Sequence, residues 1–303
     1  MKWRKQGLIF SPLGRHRWMQ THAANPVVLP LGGDLYRVYF ATRDEQNRSH
    51  VGFIEFNLHA PKESLRVSEE PVLAPGPLGH FDDHGVYASS IVKHGSEIYL
   101  YYIGWNPGPK SPLFYTSIGL AVSRDEGESF EKMFKAPLLS RSEFDPWMVS
   151  APFVMLDEGR WRMWYISGLR WEEADAGELV SYYHIKYAES SDGIEWKREG
   201  RICLDLRPGE RNIARPCVIK DEGIYKAWYS YNKGAGYKIG YAESQDGNVW
   251  ARLDDEAGIE VSESGWDSKA LAYPSVFSHE GRKYMLYNGN DFGKEGIGLA
   301  VEV

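Results

Sequence analysis

Three aspartates occupy equivalent places in this sequence and could perform acid–base chemistry together. Asp83, Asp145 and Asp267 each stand seven residues before a short apolar run. Carboxylates that are crowded in a partly desolvated pocket push each other's pKa values apart, which separates a proton donor from a base. Cleavage of a glycosidic bond needs such a pair of carboxyl groups. We therefore predict that these aspartates share acid, base and pKa-tuning roles, with loop capping as the structural alternative.

Other side chains near the same runs could bind a substrate. Arg215 directly precedes its run, and a channel-facing arginine needs either a substrate group or one of the aspartates as its partner. His22 could contact substrate or donate a proton, or it could be a structural histidine. Trp147 and Trp266 could stack on a sugar ring or pack between strands. The other predicted substrate-binding residues are Asn25, Arg43 and Tyr273.

The apolar runs recur with a period that predicts a radial array of strands. Repeats of this length, built from short strands, are typical of propellers. A small residue stands two positions before each run, as expected for a strand that is crowded along a central channel. We predict one domain, residues 1–303, that forms a five-bladed β-propeller. The runs begin at Pro26, Ser90, Pro152, Pro216 and Pro274, which lie 64, 62, 64 and 58 residues apart.

Each repeat continues with alternating aromatic and β-branched residues that predict further antiparallel strands. The third strand of a repeat leads into an Asp-Gly turn, as in the similar sequences at 188–193 and 242–247. The fifth repeat lacks a fourth strand because the chain stops at Val303. Residues 3–10 resemble the fourth strand at 196–203. We therefore predict that the N-terminal segment pairs with the last blade and closes the ring.

The composition narrows the class of partner. The chain has 303 residues, 43% hydrophobic and 25% charged, with a net charge of −7. This balance predicts a soluble globular protein and gives no basic footprint for nucleic acid. The N-terminus lacks the features of a secretory signal and no long apolar run occurs, so we predict a cytoplasmic protein without a membrane partner. Cys203 and Cys217 lack metal-ligand spacing, and we predict neither a metal nor a cofactor.

Several motifs resemble those of a known group. The five-blade period, Trp18-Met19, Ala24-Asn25-Pro26 and the turns at 187–193 and 241–247 resemble the five-bladed β-propeller glycosidase superfamily. That superfamily includes arabinanases, invertases and mannoside phosphorylases. The chain is also similar to glycosidase-like proteins encoded with bacterial surface-polysaccharide genes. The resemblance implies an all-β fold of four-stranded antiparallel blades and an oligosaccharide or glycoside substrate.

The resemblance also implies roles for individual acids. In the hydrolases of the superfamily a first-blade Asp is the base or nucleophile, a second-blade Asp tunes its pKa and a third-blade Glu donates the proton. Asp83 matches the second-blade Asp, and Asp145 or Glu143 matches the third-blade acid. The first blade offers no acid at the matching place. Asp267 or Asp44 would then replace the missing base.

Two alternatives stay open beside hydrolysis. The mannoside phosphorylases use one protein acid and let phosphate attack, and a related propeller could act as a glycosyltransferase. Phosphate would then be a second substrate, held by basic and histidine side chains. The missing first-blade acid also allows a catalytically silent propeller that only binds glycans. The residues that would hold phosphate are His22, Arg43, Arg48 and Arg215.

Overall fold

The computed structural model describes residues 1–174 and 177–303, and within them almost all regular structure is β-strand. Consecutive strands form five units, which we number one to five. Units one and two contain β2 (Thr21–Gly32), β3 (Leu35–Arg43), β4 (Ser49–Asn57), β5 (Ser64–Val67), β6 (Gly85–His94), β7 (Glu97–Pro107), β8 (Phe114–Ser123) and β9 (Glu131–Lys132). Units three and four contain β10 (Val149–Asp157), β11 (Arg160–Glu173), β12 (Leu179–Ser190), β13 (Lys197–Leu204), β14 (Asn212–Asp221), β15 (Ile224–Asn232), β16 (Tyr237–Ser244) and β17 (Ala251–Arg252).

Unit five combines the two ends of the chain. It contains β18 (Ala272–His279), β19 (Arg282–Asn288), β20 (Ile297–Glu302) and the N-terminal strand β1 (Trp3–Phe10). Strand β1 pairs antiparallel with β20, from Trp3 opposite Glu302 to Phe10 opposite Ile297. The predicted pairing of residues 3–10 with the last repeat is therefore confirmed. The helical pieces are a 3₁₀ turn at Asp254–Glu256 and a four-residue turn, α1 (Asn290–Gly293).

Every unit is an antiparallel meander, and neighbouring units contact one another through their first strands. These contacts link β2 to β6, β6 to β10, β10 to β14, β14 to β18 and β18 back to β2. The close approach of these strands explains why a small residue stands two positions before each repeated apolar run. Those residues are Ala24, Ala88, Ser150, Ala214 and Ala272, and all are buried.

Turns that contain a glycine tie units two, three and four each to the preceding unit. A serine hydroxyl accepts a hydrogen bond from the turn glycine N–H, and the glycine adopts a positive φ. The glycine carbonyl then accepts a hydrogen bond from an aromatic side chain of the preceding unit. These bonds fix the units side by side and explain part of the aromatic content. The donor and acceptor pairs are Tyr39 with Gly127, Tyr101 with Gly193 and Trp164 with Gly247.

The first strands of four units carry a β-bulge directly before their proline. In unit three, two residues of β10 stand unpaired between Ser150 and Phe153. In unit two, only Ser89 stands between the paired residues Ala88 and Ser90. Each gap therefore holds one extra residue of the first strand, because Ser150 to Phe153 faces Ile166 to Trp164 and Ala88 to Ser90 faces Tyr102 to Tyr101. The strand pairs match Ser90 with Phe153, so Ser89 and not Ser90 is the equivalent of Pro152, and the equivalent of Asp145 is Asp82.

No helix in residues 1–174 and 177–303 has both the length and the apolar character that crossing a membrane would need.

Candidate active site

A cavity of about 650 Å³ lies where the first strands of all five units meet. Its volume falls in the range of sites that bind small molecules, roughly 300–1,000 Å³. Each unit contributes at least one side chain to the wall. One such residue from each unit is Asn25, Tyr87, Ser150, Arg215 and Tyr273.

The bulges direct side chains into this cavity. The residue at each bulge has a left-handed backbone, with φ between 41° and 55°, which is uncommon for residues other than glycine. All four of these residues line the cavity. Bulges commonly re-aim a side chain beside a functional site, and local strain of this kind concentrates there. The four residues are Asn25, Ala151, Arg215 and Tyr273.

The structure brings most of the predicted substrate-binding residues together. His22, Asn25, Arg43, Arg215 and Tyr273 all line the cavity. Four of these residues stand within four positions before a repeated proline in the sequence, and Arg43 ends β3.

The two predicted stacking tryptophans lie elsewhere. Trp147 is 44% exposed and does not line the cavity. Trp266 stacks on Tyr287 with ring centroids 5.2 Å apart, which is packing within unit five. Neither ring therefore lines this cavity, and their predicted stacking on a sugar stays a prediction. Both belong to segments that precede a first strand and lie outside its bulge.

The three predicted catalytic aspartates do not line the cavity either. Asp145 is fully buried. Its carboxylate accepts hydrogen bonds from the Tyr165 hydroxyl at 3.2 Å and from Arg198 Nη1 at 2.9 Å, and Lys186 Nζ lies 3.5 Å away. The shared funnel that we expected for these acids is absent at Asp145, because its partners hold it inside unit three.

Asp267 has the same kind of surroundings in unit five. Lys5 Nζ donates to its carboxylate at 2.8 Å and the Tyr287 hydroxyl donates at 3.1 Å. Burial alone would raise the pKa of Asp267, but hydrogen bonds from Lys5 and Ser262 outweigh it and hold the pKa below its usual value. Asp267 is thus an ionised structural group that anchors β1.

In unit two the equivalent acid is Asp82. The Tyr102 hydroxyl donates to it at 3.0 Å and Lys132 Nζ lies 2.7 Å away. The neighbouring Asp83 accepts hydrogen bonds from the Gly79 N–H at 2.8 Å and from Asn106 at 2.5 Å. Asp83 therefore caps a loop, which was the structural alternative.

A common motif explains these acids. In units two, three and five an aspartate stands 20 residues before a second-strand tyrosine that donates to it. A lysine or arginine from the fourth strand of the same unit completes each group. The catalytic roles of Asp83, Asp145 and Asp267 stay an untested prediction, and the geometry gives these residues structural partners instead.

The other acids considered, Asp44 and Glu143, do not line the cavity either. Asp44 contacts Arg48 at 2.9 Å and His50 Nε2 at 3.1 Å. Burial opposes ionisation of Asp44, but hydrogen bonds led by that from His50 hold its pKa below the usual value. Glu143 is exposed at the surface.

Sequence reasoning missed an aromatic group in the wall. The Tyr183 and Tyr237 hydroxyls are hydrogen-bonded to each other, and burial raises the pKa of Tyr183 to about 12. The Tyr237 ring lies 6.0 Å from both the Tyr273 ring and the Phe292 ring. Tyr183 and Tyr237 lie near the starts of third strands, where the alternation predicted a strand but gave no sign of a cavity. The other aromatic lining residues are Tyr87, Trp105, Phe114 and Trp171.

Basic and neutral groups dominate the electrostatics of the site. Burial first, and then the positive charges of Arg43 and Lys294, lower the pKa of His22 to about 4, so His22 is neutral at pH 7. Arg43 donates to Asn47 at 2.5 Å and to the Tyr87 hydroxyl at 3.0 Å. Among the described lining residues there is no carboxylate. This cavity can therefore donate hydrogen bonds and attract negative charge.

No cluster of three or more histidine, cysteine or carboxylate side chains suited to a metal ion occurs in the described part of the chain.

Comparison with known proteins gives two full-length sequence relatives and a larger set of solved structures that share the fold at low identity. No protein-family model matches the chain. Two Mycobacterium tuberculosis proteins, Uncharacterized protein MT1551 and Uncharacterized protein Rv1502 of a second strain, are each 42% identical over 302 residues. The match covers 99% of this chain and 99% of each relative.

Solved structures of carbohydrate-active propellers share the fold at low sequence identity. A glycoside hydrolase is 17% identical with a TM-score of 0.78, covering 98% of this chain and 90% of that one. The β-1,2-mannobiose phosphorylase of Listeria innocua is 12% identical with a TM-score of 0.75, covering 100% and 97%. A thermostable family-43 glycoside hydrolase is 19% identical with a TM-score of 0.69, covering 96% and 91%.

The full-length match at 42% identity and the shared architecture give one conclusion. The chain belongs to the family of the mycobacterial proteins MT1551 and Rv1502, and its fold is that of the β-propeller glycosidases.

Proposed function

We propose that this protein is a carbohydrate-active propeller whose central cavity binds a glycoside. One observation carries the proposal: five units direct aromatic rings and hydrogen-bond donors into a single cavity of about 650 Å³. A sugar ring presents an apolar face and a rim of hydroxyl groups, and such a wall complements both. The shared fold with glycoside hydrolases and a mannobiose phosphorylase supports the same proposal by analogy.

The proposal includes the architecture around the cavity. The five units are the five blades of one propeller, and β1 closes the ring by completing the last blade. The cyclic order of contacts between first strands and the β1–β20 pairing support this arrangement. Closure matters for function because a closed ring holds side chains from distant parts of the chain at fixed positions around one ligand.

The reaction we propose is cleavage of a glycosidic bond. Hydrolysis by Asp83, Asp145 and Asp267 is the form that the sequence predicts, but their structural partners argue against it. Phosphate-dependent cleavage is the second candidate, and the cavity favours it because its described wall has two arginines that could hold phosphate. In that reaction a phosphate oxygen attacks the anomeric carbon and the glycosidic C–O bond breaks. The proton of hydrogen phosphate goes to the departing oxygen, which gives a sugar 1-phosphate and an alcohol.

Binding of oligosaccharides tests the proposal most simply. A panel of neutral and charged oligosaccharides is titrated into the protein by calorimetry, and products are then assayed with and without phosphate. Trp171→Ala removes an aromatic side chain from the cavity wall, and Trp147→Ala removes an exposed one outside it. We expect the first variant to weaken glycoside binding about 10-fold, since stacking is worth on the order of 1 kcal/mol or more, and the second to leave it unchanged.

Two results would contradict this function. The first is that no member of the panel binds. The second is that a glycoside binds with equal affinity to the wild type and the Trp171→Ala variant while Trp147→Ala weakens it, which would place the glycan site outside the cavity.

A further inference from the structure

Arg215 is a buried guanidinium group without a carboxylate partner in the described part of the chain. The residue is only 2% exposed and lines the cavity. Its Nη2 donates to the Pro26 carbonyl at 2.6 Å, and its Nε has no hydrogen-bond partner among the described residues. Burying an uncompensated charge is costly, so a group of this kind calls for an explanation.

Two other buried arginines show how this chain otherwise compensates such a charge. Arg37 and Arg252 each contact two carboxylates. Burial opposes it, but hydrogen bonds with Tyr39 and Glu55 raise the pKa of Arg37, and the hydrogen bond with Glu210 raises the pKa of Arg252. Burial without a carboxylate instead lowers the pKa of Arg215 to about 10. The carboxylate partners of the first two are Glu55, Glu128, Glu210 and Asp254.

A second guanidinium group lies in the same part of the cavity. Arg43 also has a buried Nε without a partner among the described residues, and it forms no ion pair there. The Tyr273 hydroxyl feels both positive charges: burial raises its pKa, while Arg43 and Arg215 act to lower it. Arg43 also donates to the Tyr87 hydroxyl at 3.0 Å. Two guanidinium groups without a carboxylate partner among the described residues therefore line the same cavity as the Tyr87 and Tyr273 side chains.

We propose that Arg215, Arg43 and Tyr273 form an oxyanion site in the central cavity. The site takes a phosphate or carboxylate group, which is either carried by the glycoside or present as free inorganic phosphate. A guanidinium group offers a fork of N–H donors that matches the oxygens of such an anion. The bound anion also supplies the negative counter-charge that no described carboxylate gives to Arg215. This inference rests on the proposed function, because it assigns the anionic part of the ligand to the glycoside cavity.

Calorimetric titration at constant ionic strength tests the site with three probes: inorganic phosphate, a hexose 6-phosphate and a hexuronate. The corresponding neutral hexose serves as reference. Arg215→Met and Arg43→Gln each remove one positive charge from the cavity, and Arg160→Gln removes one from the surface. We expect each cavity variant to weaken anion binding about 10- to 100-fold and the surface variant to change it less than about twofold.

The outcomes separate the possible sources of the anion. If inorganic phosphate binds the wild type and binds the two cavity variants more weakly, the site is assigned to the free ion. If only the charged hexoses bind, and the two cavity variants bind them more weakly than the wild type does, the site is assigned to the glycan. The proposal is overturned if no charged probe binds more tightly than the neutral hexose, or if both cavity variants bind every anion as the wild type does. A neutral glycoside that still binds would then leave the proposed function standing.

Folding is controlled in the same experiment. Since Arg215 has no described carboxylate to leave unpaired, Arg215→Met should melt without ligand at or above the wild-type temperature. If this variant fails to fold, Arg215→Lys and Arg43→Gln take its place. Arg215→Lys keeps the charge but loses the fork of donors, and it should bind anions with intermediate affinity.

Discussion

Asp145 provides a direct test of whether the conspicuous aspartates are structural or catalytic. Its carboxylate is fully buried, 2.9 Å from Arg198 Nη1 and 3.5 Å from Lys186 Nζ, with the Tyr165 hydroxyl at 3.2 Å. Asp145→Asn keeps the shape of the side chain but leaves the buried Lys186 and the partly buried Arg198 without their counter-charge. Removing one partner from a buried ion pair costs about 3–5 kcal/mol. At about 2–4 °C per kcal/mol, the melting temperature should fall by roughly 6–20 °C.

Differential scanning calorimetry of the purified variant measures this loss. Asp83→Asn is the matched control, because Asp83 is half-buried and only caps a loop. We expect its free energy of unfolding to change by about 1 kcal/mol or less. If Asp145→Asn keeps the wild-type melting temperature but loses glycosidic-bond cleavage, the structural interpretation of the aspartates is refuted.

Three further predictions concern the cavity and the closure of the fold. Arg43→Gln should raise the pKa of His22 above its value of about 4, and Asp291→Asn should lower it, as measured by NMR titration of the imidazole protons. Because the folded pKa of His22 lies below its unfolded value of 6.5, its neutral form stabilises the fold above pH 6.5, and this contribution should be lost as the pH falls towards 4. Phe292→Ala should weaken glycoside binding about 10-fold, since this 55% exposed ring lines the cavity. Deleting the strand Trp3–Phe10 should expose the edge of the last sheet and cause aggregation, as measured by light scattering.

Each of these predictions has a control and a contradictory result. Phe134 is 39% exposed outside the cavity, so Phe134→Ala should bind the glycoside as the wild type does. Equal losses in both phenylalanine variants would argue for a general effect on stability. If the pKa of His22 fell in Arg43→Gln or rose in Asp291→Asn, these two residues would not act on it through charge. A deletion variant that stays monomeric with an unchanged melting temperature would show that the N-terminal strand does not hold the last sheet.

The strands could be predicted from sequence because their signals are local and repeated. Alternating side chains mark each strand, and the resemblance of residues 3–10 to 196–203 identified the N-terminal strand as a fourth strand. The pairing of β1 with β20 follows from that resemblance. The place of residues directly before the prolines, such as Arg215 and Tyr273, in one cavity wall could also be anticipated, since the bulge recurs at the same position.

The structural partners of the aspartates could not be predicted from the sequence, for two physical reasons. Unit two has Ser89 where the other first strands have a proline, so the alignment was anchored one residue too late, on Ser90, and Asp83 stood in for Asp82. The direction of a loop side chain is set by long-range partners, here a tyrosine 20 residues later and a fourth-strand cation, which a single sequence does not reveal. Asp267 shows the same limit, because its partner Lys5 comes from the opposite end of the chain.

A crystal structure with the tightest-binding glycoside of the panel tests the central claim most directly. We predict that the sugar lies in the cavity formed by the five units, beside Tyr273 and Phe292, with any anionic group of the ligand within hydrogen-bond distance of Arg215. A sugar bound on the outer surface, with the cavity holding only water, would contradict the assignment of this cavity as the functional site.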